Sequence, residues 1–335
     1  MLFHPLSIAV ILTDAVSCYF LFAAFSSSIR VLLQDGEADE QESPLSVIRE
    51  ESISRNGRFI LLLQCLSLLF MLFGISLVFP PILTGIMCGT GVLQISGETA
   101  VQMLLVKICT LLVLHVWYLI DRAKQELPAG KMDMAAAKAM LCSVPFVFLS
   151  VWLTVKTLWV MNMGQSGDCC TLAYGAAADG SSVNLNLWLT LLGGSTLVLF
   201  LFGAGAGKRN PIPIQLFAVL AGGVLWGLAA TVCLDYFFSA YYYGVSQHHC
   251  LWCLFLPGNY GVGYLFFFVL ALVLSQSSAL FVNGRIAMSQ GELVKWTGMK
   301  RQQSGMLIIA GIFVYFLLTL LPVLLWKIQH GVWTV

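Results

Sequence analysis

Eight long apolar stretches dominate this chain, near residues 5–29, 58–80, 100–120, 139–162, 184–204, 213–237, 261–283 and 305–328. Each is about 20 residues or longer, enough to cross a hydrocarbon core of roughly 30 Å as an α-helix. Water is absent from the middle of a bilayer, so a spanning segment must satisfy its own backbone, and a helix does so internally. The predicted fold class is therefore an all-α integral membrane protein with eight transmembrane helices, and the lipid bilayer is its first partner. Only 10% of the 335 residues are charged, against about 25% in soluble domains, which excludes soluble domains in series. The N-terminal "MLFHPLSIAVILTDAV" has no basic start, and Asp14 breaks the apolar run before any small-residue cleavage site. It reads as a retained first span rather than a secretory signal.

Charge sets the expected orientation. Arg30, Arg49, Arg55 and Arg58 follow span one; Arg122, Lys124, Lys131 and Lys138 follow span three. Lys208 and Arg209 follow span five, and Arg285, Lys295, Lys300 and Arg301 follow span seven. The intervening loops 81–99, 163–183 and 238–260 contain no Lys or Arg. By the positive-inside rule those three loops and both termini are extracytoplasmic, with a bacterial or archaeal cytoplasmic membrane as the setting. The polar stretch 30–57 then reads as a solvated cytoplasmic loop, with a docking segment for a cytoplasmic partner as the alternative. The basic residues form no stripe, so nucleic acid is not a partner. No phosphate-binding glycine loop occurs, so coupling to ATP would need another chain.

Spans five and six are rich in small residues, "LLGGSTL", "FGAGAG" and Gly223-x-x-x-Gly227, a spacing that lets helices approach closely in lipid. Spans one to four and five to eight would share one orientation, and loops 81–99 and 238–260 would correspond. Both carry cysteine followed by glycine, "MCGTG" and "CLWCLFLPGNYGVG", which suggests a parallel four-plus-four repeat. The aromatic run "DYFFSAYYYG" and Trp252 fall where interfacial belts form.

The three bare loops collect soft side chains. The first holds Met87 and Cys88, the second Met163 (two residues after Met161) with the vicinal Cys169 and Cys170, and the third His248, His249, Cys250 and Cys253. Cys18, Cys65, Cys109, Cys142 and Cys233 lie within spans, where a free cysteine packs as a small hydrophobe. Structural disulfides are ordinary in an oxidising compartment. Five outer cysteines leave one without an intrachain outer partner, however, and adjacent cysteines are too close for a relaxed disulfide.

Two functional classes remain. In the first, Cys250-x-x-Cys253 carries out thiol–disulfide exchange or electron transfer. Cys88, Cys169 and Cys170 serve as partners, and His249 stabilises the thiolate. A pair in one loop with acceptors in another, passing electrons to quinone, resembles the logic of quinone-coupled disulfide oxidoreductases and vitamin K epoxide reductases. Those have four helices and two cysteine pairs, whereas this chain has eight spans and a vicinal pair. In the second class, His248, His249, Cys250, Cys253, Cys169, Cys170, Met161 and Met163 bind copper or haem, a donor set that selects Cu(I) over harder ions. The motif order is not that of c-type haem attachment. His115 lies roughly 22 Å into span three with no histidine at its depth, and an outer haem would have to use His4 or His330. An extracytoplasmic thiol or metal-carrier protein is the implied partner. A third reading is a disulfide-held subunit of a larger membrane complex.

Asp14, Lys107 and Lys156 lie within spans one, three and four, each roughly 10–15 Å from the outer end. Ionisable groups at that depth avoid lipid. They are expected to face the bundle, with Asp14 pairing either lysine. A site there would suit a quinone carbonyl, an anion or a proton path. Asp235 is placed to orient His248 or His249.

Overall fold

The computed structural model describes residues 1–34, 44–126, 132–161, 184–206, 212–245, 248 and 250–333. These residues are all-helical, with no strand among them. The helices are α1 (Pro5–Gln34), α2 (Pro44–Phe73), α3 (Gly89–Ser96), α4 (Glu98–Lys124) and α5 (Asp133–Val160). The second half holds α6 (Leu185–Ala204), α7 (Pro213–Cys233), α8 (Ser239–Tyr243), α9 (Val262–Ser289) and α10 (Val294–His330). Eight helices are long and apolar enough to cross a membrane, so the chain is a polytopic membrane protein.

The helices outrun the apolar stretches. α1 continues to Gln34 and α2 begins at Pro44, so much of the polar stretch 30–57 is helix, with 35–43 outside the described residues. Hydropathy marks the part of a helix that meets hydrocarbon and is silent about helical turns beyond it. Pro44 suits a helix's first turn, where its missing N–H costs nothing. Two helices end in π-helical turns, Gly74–Val78 after α2 and Leu234–Phe238 after α7.

The chain divides into two compact units: Met1–Val78 with Ile82–Thr84 and Leu93–Gln165, and Phe79–Pro81 with Gly85–Val92 and Ser166–Val335. In the first, α1 packs on α2 and α5, and α4 closes the ring against the same two helices. Its apolar interior includes Leu21, Ile60, Leu114, Trp117, Met140 and Val147. Gly57 lies against the Trp117 indole so closely that a Cβ would fall 2.1 Å from the ring.

In the second unit α6 packs on α7 and α10, and α9 completes the ring. Trp226, Phe266 and Tyr315 meet edge-to-face at its centre, with Tyr315 5.2 Å from Trp226 and 5.8 Å from Phe266 between centroids. Their polar atoms are satisfied: Tyr315 Oη donates to Ala230 O at 2.7 Å and Trp226 Nε1 to Thr196 Oγ1 at 3.1 Å. α6 and α10 touch backbone to backbone at Gly203 and Gly305, the small-residue contact that lipid-embedded helices favour.

Candidate functional site

The second unit builds a sulfur cluster from two segments far apart in sequence. After α8 the chain turns at Gly244, whose φ of 65° ends the helix in a left-handed conformation, as helix-terminating glycines commonly do. Cys250 then heads a 3₁₀ turn, Leu251–Phe255, and the Cys253 N–H donates to Cys250 O at 3.2 Å. Tyr243 Oη donates to Cys250 O at 2.7 Å, and Asn259 Nδ2 donates to Cys253 O at 2.8 Å. The motif's backbone is thus pinned from both sides.

The second segment is 85–92. Gly89 rests on the face of Trp252, where a Cβ would come within 2.7 Å of the indole. Trp252 in turn stacks on Phe255, with centroids 5.3 Å apart. This close seat brings Cys88 onto the Cys-x-x-Cys. The sulfurs of Cys88, Cys250 and Cys253 all lie within 4.8 Å of one another, with Cys88 Sγ 3.7 Å from Cys250 Sγ. Thr90 Oγ1 stands 3.0 Å from Cys250 Sγ. Cys88 and Cys250 are each 2% exposed, covered by Trp252 and Leu256, while Cys253 is half-buried. All eight described cysteines are free thiols.

The three sulfurs are not equivalent. Hydrogen bonds from Cys253 foremost, then from Cys88 and Thr90, hold the Cys250 thiol well below its ordinary pKa against the opposing effect of burial. Cys253 is pushed the other way, chiefly because its proton is shared with Cys250, then by Cys88 and by burial. Cys250 is therefore the sulfur that carries negative charge most easily, and Cys253 the one that keeps its proton.

His248 meets the Tyr243 ring edge-on, 4.5 Å between centroids, and the groups that lower Cys250 are two thiols and Thr90. His249, Cys169, Cys170 and Met163 lie outside the described residues. Met161 is buried at the end of α5 in the first unit, where its carbonyl accepts from the N-terminal amine at 3.2 Å. Of the histidines considered for haem, His4 Nδ1 accepts from the Leu6 N–H at 3.2 Å at the start of α1. His330 stacks on Trp326 at 3.8 Å between centroids. Asp235 lies in the π-helical turn after α7.

A second polar cluster lies inside the first unit. Lys107 Nζ donates to Asp14 Oδ2 at 3.2 Å, Ser67 Oγ at 2.7 Å and Ser150 Oγ at 3.4 Å. Gln64 Nε2 donates to Ser17 Oγ at 2.9 Å and to Asp14 Oδ1 at 3.5 Å, and Ser150 Oγ donates to Gln64 Oε1 at 3.3 Å. All six side chains are buried, and each of the four helices supplies at least one. Lys156 does not join them; it is exposed. The buried face of α5 runs through Ser150, Leu153, Thr154, Thr157 and Leu158, and position 156 falls off it. A lysine one turn from a span's end can also extend its ammonium towards the interface.

Sequence reasoning located Cys88, Cys250, Cys253, Asp14 and Lys107 but missed Thr90, Gln64, Ser17, Ser67 and Ser150. Gln64 left a signal, as the lone amide in "ILLLQCLSLLF". Thr90 and the serines left none, because hydroxyls are common in loops and within spans. No protein-family model, curated protein or solved structure matches this chain.

Proposed function

We propose that this protein carries out thiol–disulfide exchange on the extracytoplasmic side of a bacterial or archaeal cytoplasmic membrane, with Cys250 and Cys253 as the working pair and Cys88 as the third sulfur. The observation that carries the reading is the geometry of the motif: the Cys250 sulfur is buried beside Cys88 Sγ and Thr90 Oγ1, while Cys253 is the more accessible of the pair. Good leaving thiols are those with low pKa values. In the oxidised pair, a thiolate of an extracytoplasmic dithiol protein attacks Cys253 Sγ, and the Cys250–Cys253 bond breaks. Cys250 leaves as a thiolate held by the Cys88 and Thr90 protons. The partner's second thiolate then closes the partner's own disulfide and releases Cys253, which takes a proton. Two electrons and one proton have entered the pair. As the Cys250–Cys253 bond re-forms, a membrane quinone takes the two electrons with the Cys253 proton and a second proton from solvent, and becomes quinol. Cys88, 3.7 Å from Cys250, is placed to exchange with it internally.

The reading takes both termini and the cysteine loops as extracytoplasmic, as the basic residues indicate. It also takes the chain as a parallel four-plus-four repeat. Two observations support the repeat: a π-helical turn precedes each of the loops that carry Cys88 and Cys250, and the helices neighbour one another in the same order within each unit. The test is Cys250→Ser in intact cells. Run in reverse, the exchange lets the Cys253 thiolate attack an oxidised partner's disulfide, with the partner's other sulfur leaving. Without Cys250 to resolve it, that mixed disulfide should accumulate and vanish on reduction, and a folded variant with no trapped species sinks the exchange mechanism.

A further inference from the structure

The spacing of the three sulfurs also suits a ligand that thiol exchange does not use. We propose that the fully reduced protein binds one copper(I) ion between Cys88, Cys250 and Cys253, in a three-coordinate site made only of sulfur. A disulfide needs its sulfurs about 2.05 Å apart, so any pair here must close substantially to form one. Metal–thiolate bonds of about 2.3 Å place three sulfurs around an ion at corners roughly 4 Å apart. The trio already has that spacing, with one edge of 3.7 Å and every edge within 4.8 Å.

Donor type and number then choose the ion. Thiolates select soft ions, copper(I) and zinc before calcium or magnesium. Structural zinc takes four protein ligands. Among the described residues the three Cys, His, Asp or Glu donors that converge here are all sulfur. A soft monovalent ion content with three sulfurs fits that set. Cys88 and Cys250 are shielded by Trp252 and Leu256, which keeps competing water away, and half-buried Cys253 gives the ion its way in. Thr90 Oγ1, 3.0 Å from Cys250 Sγ, orients that sulfur from the outer shell. Binding changes no oxidation state. Copper–sulfur bonds replace sulfur–hydrogen bonds, and the displaced protons go to solvent.

The site is the one used for exchange, but the two readings fail separately, since exchange needs two sulfurs at a time and copper needs all three. The experiment uses the full-length protein in detergent, fully reduced, titrated with copper(I) against a chromophoric copper(I) chelator. One ion per chain is expected, with X-ray absorption at the copper edge showing three sulfurs at about 2.3 Å. Thr90→Val should weaken binding about 10-fold, within the range in which ligand-supporting contacts act, and Cys88→Ser, which removes a ligand outright, should exceed that range's upper end of about 100-fold. Oxygen or nitrogen scatterers on wild-type copper, a preference for zinc, or undiminished affinity in Cys88→Ser would each overturn the proposal. The absorption spectrum is read on the wild-type chain, so a poorly folding variant cannot hide the answer. Copper bound without any mixed disulfide trapped by Cys250→Ser removes the exchange reading and keeps this one; the opposite result does the reverse.

Discussion

Removing the Lys107 ammonium would strand the buried Asp14 carboxylate, whose ion-pair partner among the described residues is Lys107. Lys107→Met should cost about 3–5 kcal/mol, the usual penalty for breaking a buried pair, while Asp14→Asn combined with Lys107→Met should recover much of it. Lys156→Met, at an exposed position, should stay within about 0.5 kcal/mol. Thermal unfolding of the four proteins in detergent measures all three effects, and an equal loss at Lys107 and Lys156 would contradict the assignment. The same scale holds a pH prediction for the reduced protein. Cys250 is depressed in the folded chain, so its stabilisation is complete above the unfolded thiol pKa of about 8.5. It is lost as pH falls from there through the folded value. Cys253, held protonated, opposes it only above that pKa. The reduced form's melting temperature should therefore decline relative to the disulfide form as pH falls below about 8.5. A constant difference between the two forms would remove Cys250 as the charged sulfur. From sequence, Asp14, Lys107 and the motif cysteines stood out because charge in a span and Cys-x-x-Cys are rare. Lys156 looked identical to Lys107 because depth can be counted along a chain, whereas the face of a helix depends on which neighbours surround it.

Elements differ in how far sequence betrays them. All eight crossings were legible, since about 20 apolar residues in a row have few other uses. Their polar extensions, the start of α2 at Pro44 and the two π-helical turns were not, because nothing in hydropathy distinguishes a helix leaving the bilayer from a loop. Nor does periodicity foretell that 85–92 joins the motif loop; that depends on the flat contact between Gly89 and Trp252. Gly89→Ala puts a methyl into the indole at 2.7 Å, an overpacking that typically costs about 1–3 kcal/mol. It should slow the formation of a Cys88–Cys250 disulfide under mild oxidant about tenfold or more, while leaving Cys250–Cys253 closure near the wild-type rate. Mass spectrometry of the oxidised peptides separates the two bonds. Equal slowing of both would mean that Gly89 serves general folding rather than the seating of Cys88.

At the scale of the whole chain, the two units each have their own interior, one closed on Trp117 and the other on Tyr315. Gly57→Ala, against Trp117, and Gly305→Ala, against the Gly203 carbonyl, should therefore act locally. Each should lower the protection of its own unit's amides in hydrogen exchange and leave the other unit's slowest amides unchanged; loss spreading evenly through both would show a single cooperative block. The distance between the sulfurs along the chain has a consequence of another kind. Cys88 and Cys250 are 162 residues apart, and a ribosome adds about 5–20 residues each second. Cys88 is therefore made on the order of ten seconds before the sulfur it belongs with. Cys169 and Cys170 come off the ribosome in that interval, ahead of Cys250. During synthesis the cluster is a problem of timing: a thiol made early has to stay reduced and uncommitted until about three quarters of the protein exists.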